Sequence, residues 1–157
     1  MRALFIALPL FALVACGQPS EAPAPTPPAP AQTGRSADQV ATALAALPAP
    51  YSEADYEAGR RAFAQCRSCH TINADGAHRV GPNLHGVFGR EIGAAAGFNY
   101  SQAVQNADFV WDAAQLDNWL SNPPSFLPGN RMAFAGVRDA EQRRDLIAYL
   151  MIETAAD

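Results

Sequence analysis

The chain has 157 residues, 49% of them hydrophobic, which suffices for one domain with a real core but not for two of full size. Its 11 basic residues are all arginine and are outnumbered by 15 acidic ones; the net charge of −4 argues against nucleic acid as a partner. Three cysteines do not make a disulfide framework, because one stands alone near the N-terminus and the other two lie within a single short motif.

Met1-Arg2 and the apolar run from Ala3 to Ala15 have the positive start and short hydrophobic stretch of an export signal, too short to span a bilayer as a helix. Leu13-Val14-Ala15-Cys16 is similar to the bacterial lipobox, in which the cysteine becomes the lipid-modified first residue. The expectation is a lipoprotein-type signal peptide over residues 1–15, lipidation at Cys16 and a periplasmic domain anchored to a bacterial membrane. An ordinary signal cut nearby, leaving Cys16 a free thiol, is the alternative. Residues 17–50 read as a Pro/Ala-rich linker, because a tract such as Pro23-Ala24-Pro25-Thr26-Pro27-Pro28-Ala29-Pro30 cannot bury enough surface to fold. At roughly 3 Å per residue it would carry the domain some 40 Å from its anchor. Within it, Ser36 to Leu47 carries a possible short helix, with Val40, Leu44 and Leu47 on one face and Pro48 as its stop. The pattern leaves open whether that helix packs on the domain.

Residues 51–157 hold three stronger helix signals. Ser52 with Asp55 predicts a start for a helix through Tyr56, Gly59 and Phe63 toward Cys66. Asp112 with Gln115 predicts another, through Leu116, Trp119 and Leu120 to a stop at Pro123, and Asp139 with Gln142 a third, carrying Leu146, Ile147, Tyr149 and Leu150. Between Asn73 and Ala107 glycine is frequent and no run alternates as a strand. The fold class is therefore all-α, small and loop-rich, with so little apolar helix surface that something else should fill its centre.

Cys66-Arg67-Ser68-Cys69-His70 has the C-x-x-C-H form of c-type haem attachment, at a helix end where both sulfurs and the imidazole can face one side. Two thioethers would fix the porphyrin edge and place His70 under the ring as an iron ligand. A thiol redox pair and half of a zinc site completed by His78 or His85 are the rival readings. A second axial ligand must come from elsewhere. Met1 lies in the signal and Met151 beside Leu150 in the last helix, which leaves Met132, after the proline-rich stretch Pro123 to Arg131, or else a methionine there that merely fills a gap.

With Gly81-Pro82-Asn83-Leu84-His85-Gly86-Val87-Phe88-Gly89-Arg90 and Pro128-Gly129-Asn130-Arg131-Met132-Ala133-Phe134-Ala135-Gly136, the chain from about Tyr51 resembles the class I c-type cytochromes of the mitochondrial cytochrome c and bacterial cytochrome c2 branch. The resemblance implies a monohaem cytochrome c fold, helices wrapped around one covalent haem c per chain with long loops. It implies that Pro82 accepts the ring N–H of His70, that Arg90, Tyr100 and Trp111 hold a haem propionate, that His78 bonds across loops, and that Gly59 and Phe63 cross the last helix near Leu146 and Tyr149. Trp119 stands where this branch usually has tyrosine and Val104 where it often has asparagine. Gln65, Pro124 and Ser125 replace docking lysines, leaving Arg67, Arg79 and Arg131 as a weaker basic rim. The function implied is electron transfer and not enzymatic turnover: a monomeric, tethered one-electron carrier between a bc1-type reductase and an oxidase, reaction centre or periplasmic reductase. A haem-based sensor or peroxidase-like enzyme with a labile Met132, and a fixed electron-entry subunit of a larger complex, are the alternatives.

Overall fold

The computed structural model describes residues 34–156; the expected signal, lipobox cysteine and proline-rich tract lie outside the described residues. Helices α1 (Ala37–Ala45), α2 (Tyr56–Phe63), α3 (Gln102–Gln105), α4 (Ala113–Ser121), α5 (Pro123–Phe126) and α6 (Ala140–Glu153) follow in order. No strand forms among the described residues, only an isolated antiparallel bridge between Glu91 and Val110. This is the small all-α fold that the sequence predicts.

Helix starts follow cap chemistry. Ser36 caps α1 in a reciprocal box with Gln39, Asp112 caps α4 by accepting from the Gln115 N–H, and Asp139 does the same for α6 through Gln142. The expected Ser52 cap is corrected. Residues Tyr51–Glu53 form a 3-10 turn, Ala54 is extended, and Asp55 caps α2 by accepting from the Ala58 N–H at 2.9 Å. The physical reason is that Tyr51 N–H already closes a turn onto the Pro48 carbonyl, so the chain must straighten before an α-helix can start. Pro123 ends α4 and opens α5, since its missing N–H costs nothing at a first helical position.

The core is built on α6, in which Leu146 and Ile147 are fully buried. Helix α2 crosses it at Gly59, where an added Cβ would lie against the Asp145 carbonyl and 2.7 Å from Tyr149 Cβ, so only glycine allows this approach. Tyr56 and Phe63 flank the crossing with ring centroids 5.3 and 5.5 Å from Tyr149. Asp145 pins the start of α2 by accepting from the Asp55 N–H at 3.1 Å. Leu116, Trp119 and Leu120 of α4 complete the cluster, and Val40, Ala43, Leu44 and Leu47 of the first helical segment pack against it.

Candidate haem site

Past α2 the chain tightens into turns: Cys69 N–H donates to the Cys66 carbonyl at 3.0 Å and His70 N–H to the same oxygen at 2.9 Å. Both thiols and the imidazole therefore stand within one turn of backbone. Burial, reinforced by the neighbouring Cys69, pushes the Cys66 thiol up to about 11. That direction is opposite to the lowered pKa of a reactive redox thiol, so the C-x-x-C redox reading loses its main support.

His70 is clamped from two sides. Its Nδ1–H donates to the Pro82 carbonyl at 2.7 Å, and because a carbonyl oxygen can only accept, this contact fixes the tautomer with the lone pair on Nε2. The Gly81 backbone lies so close to the ring that a Cβ there would sit 2.7 Å from both ring nitrogens. Burial pulls the His70 pKa down, partly opposed by the Pro82 bond, which keeps the imidazole neutral as ligation requires.

The loop after the motif is organised by Asn83, which is buried. Its amide donates to Thr71 Oγ1 at 2.7 Å and to the Asn73 carbonyl at 2.9 Å, while its Oδ1 accepts from the His85 N–H at 2.8 Å. Asn83 N–H donates to His78 Nδ1 at 2.9 Å, and His78 Nε2–H donates to the Ala96 carbonyl at 2.8 Å. Both ring nitrogens of His78 are thus used in joining loops, and no cluster of three metal-ligating His, Cys, Asp or Glu occurs among the described residues. The zinc reading fails on these grounds.

Arg90 donates to the His85 carbonyl at 3.0 Å and the Asn83 carbonyl at 3.1 Å. Trp111 N–H donates to the Arg90 carbonyl at 2.9 Å, which puts the two residues side by side. Burial pulls the Arg90 pKa down, with Tyr100 opposing; burial raises that of Tyr100, opposed by the Ala95 backbone and by Arg90. Among the described residues no carboxylate pairs with Arg90, so a half-buried cation stands beside a neutral phenol and an indole. This donor set fits the anionic edge of a haem, whose carboxylate would relieve the desolvated guanidinium.

Met132 is partly buried against the core, on the loop leading into α6. Its N–H donates to Asn130 Oδ1 at 2.8 Å, and the Asn130 amide donates to the Pro123 and Leu127 carbonyls, each at 2.9 Å. One side chain thus ties the Met132 loop to α5. Met151, on α6, is also partly buried against the core. Trp119 and Val104 are both buried, and Trp119 meets Trp111 and Phe126 edge to face at 5.6 and 5.9 Å. An aromatic cluster occupies that region. Gly81, Asn83 and Asn130 are the positioning residues whose parts sequence reasoning missed. All three lie inside the segments that carried the resemblance, and their roles depend on contacts that no spacing rule encodes.

Known proteins bear on the site in the same sense. Residues 56–152 match the profile of the cytochrome c family. Cytochrome c of Kluyveromyces lactis is 41% identical over 106 residues, which cover 67% of this chain and 96% of that protein. Cytochrome c of Ulva intestinalis is 46% identical over 92 residues (59% and 83%), and that of Chlamydomonas reinhardtii 46% over 102 residues (64% and 91%). The chain belongs to the cytochrome c family, electron-transfer proteins that carry one covalently bound haem c per chain and exchange electrons with redox protein partners.

Proposed function

We propose that the protein is a monomeric one-electron carrier of the bacterial periplasm, tethered through lipid on Cys16. In this reading residues 1–15 are the signal peptide, residues 17–50 the linker region and residues 51–157 the cytochrome domain. Cys66 and Cys69 would hold haem c through thioethers, and His70 and Met132 would ligate its iron. When bound, haem c supplies reversible one-electron iron chemistry, with a potential raised by a methionine ligand. The protein's own work is positional. Pro82 and Gly81 orient His70 so that Nε2 presents its lone pair, Asn130 holds the Met132 loop, and Arg90, Tyr100 and Trp111 would donate to a propionate of the bound haem.

The observation that carries this reading is the bracing of both ligand segments, His70 against Gly81 and Pro82 and Met132 through Asn130. Two held ligands leave no open iron position for a substrate, which suits electron transfer and speaks against a labile Met132 in a sensor or peroxidase-like enzyme. The donor is a bc1-type reductase and the acceptor an oxidase, reaction centre or periplasmic reductase. Lipidation is supported by Leu13-Val14-Ala15-Cys16, and mobility by the proline-rich tract.

The ferric holoprotein is expected to show the sulfur-to-iron charge-transfer band, and the reduced protein to refuse carbon monoxide at neutral pH. Absence of the band, or ready carbon monoxide binding, would overturn the His70/Met132 assignment. Globomycin or Cys16→Ala is expected to block signal removal, so that the larger precursor accumulates; unchanged processing would overturn the lipid tether. Co-purification with an oxidase at fixed stoichiometry would instead make the protein a fixed subunit.

A further inference from the structure

Helix α1 lies ahead of the segment that matches the family, which begins at residue 56, so the family does not account for it. It is nonetheless bound firmly to the domain. Val40, Ala43, Leu44 and Leu47 pack on the core cluster. Arg35 Nε donates to Glu153 Oε1 at 3.0 Å, and a second guanidinium nitrogen donates to the Ile152 carbonyl at 3.1 Å. The same Glu153 oxygen accepts from the Tyr56 hydroxyl at 2.8 Å. The Glu153 side chain is only 13% exposed, so this latch is shielded from water more than an open surface pair is.

The latch sits at the C-terminal end of α6, where Gly86 of the Arg90 loop also donates its N–H to the Thr154 carbonyl, whereas the Met132 loop and the segment before Cys66 lie toward the other end. The Met132 loop runs directly into the Asp139 cap of α6. Ala64 and Gln65, between the end of α2 and Cys66, border a shallow groove with Asp139 and Gln142. Helix α6 has 14 residues, so about 20 Å of rigid helix separates the two ends.

We infer that residues 35–47 are a strap that fixes the point where the N-terminal spacer leaves the domain, at the end of α6 remote from Met132 and Cys66. The strap starts the attached chain at that end, and it removes the slack that a loose segment from Arg35 to Leu47 would add to the linker. Its use in orienting the carrier rests on the proposed membrane tether; its existence as a docked element does not.

The test uses the full-length exported holoprotein with Cys16→Ser and Gly34→Cys, so that lipidation plays no part. A Cβ at Gly34 meets nothing within 4 Å, so the new thiol can carry a fluorophore without disturbing the fold. Time-resolved energy transfer from that fluorophore to the haem is expected to give one narrow distance distribution. Adding Leu44→Glu is expected to broaden it at least twofold while the charge-transfer band persists. A distribution already as broad without Leu44→Glu would overturn the strap. Should Leu44→Glu fail to fold, hydrogen exchange on the otherwise unaltered chain decides: α1 amides slowed at least tenfold relative to unstructured peptide support the strap, and unprotected amides overturn it. Failure of the tether itself would show separately, as unchanged precursor processing of Cys16→Ala.

Discussion

The haem site depends on residues that bind nothing themselves. Gly81 backs onto the His70 imidazole so closely that Gly81→Ala would drive a methyl into both ring nitrogens. The ring or the loop must shift, at a cost of about 1–3 kcal/mol. Lower chemical stability together with an altered ferric spectrum is the expected result, and an unchanged spectrum would show that the ring tolerates the push. Asn130 is a similar case on the other side. Its loss leaves the Met132 N–H and the Pro123 and Leu127 carbonyls without that amide, at roughly 1–3 kcal/mol. Carbon monoxide should then bind Asn130→Ala faster than wild type, measured by flow mixing with the reduced protein. Cys66, Cys69, His70 and Met132 stand out in the sequence as candidates because covalent attachment and ligation demand particular atoms. Gly81, Asn83 and Asn130 cannot, because a backbone approach and amide bonds across turns leave no periodic signature.

At the scale of elements, stability concentrates where α2 crosses α6. Gly59→Ala adds helix propensity worth up to about 1 kcal/mol. Against that stands a Cβ forced into the Asp145 carbonyl and 2.7 Å from Tyr149 Cβ, which forces the helices apart. Overpacking of this kind costs about 1–3 kcal/mol and often more in a rigid backbone contact, so the net effect should be a lower denaturation midpoint. A midpoint equal to or above wild type would show that the crossing can relax. Tyr149 at the same crossing has its pKa pushed up to about 12, by burial first and then by Glu153. The folded protein therefore holds this proton more tightly than the unfolded chain, in which tyrosine titrates near 10. That contribution is complete below pH ~10 and is lost as pH rises toward 12. Tyr149→Phe should flatten the fall in stability over that interval, as read from urea unfolding at stepped pH. Caps make α4 and α6 readable, since Asp with Gln three residues on is chemistry within one turn. The start of α2 is misread at Ser52 because two nearby prolines set a 3-10 turn first. One-turn helices such as α3 and α5 are too short for any hydrophobic period to register.

For the whole molecule, charge and the proposed lipid attachment bear together on how it meets its partners. The positions where related carriers place lysines hold Gln65, Pro124 and Ser125, all exposed, with only Arg67, Arg79 and Arg131 to form a basic rim on a chain of net charge −4. Long-range steering of an acidic partner should therefore be weak, and rates that do not rely on steering respond little to salt. A tether acts differently. It confines donor and acceptor to one another's neighbourhood at an effective concentration that can be on the order of millimolar, without a single added contact. Membranes containing the carrier, its reductase and its oxidase should thus lose less than about threefold in electron flow between low and physiological salt. Exporting residues 17–157 behind a cleavable signal that leaves no lipid should cut flow at least tenfold, with recovery when the released protein is added back toward millimolar concentration. If flow instead collapses with salt while loss of the lipid leaves it intact, the arginine rim outweighs confinement. A strap that sets the spacer exit near Glu153 adds a geometric condition, for confinement helps only when the haem face can turn toward the partner. Loosening α1 should then lower flow in tethered membranes and leave the electron exchange of the released protein unchanged.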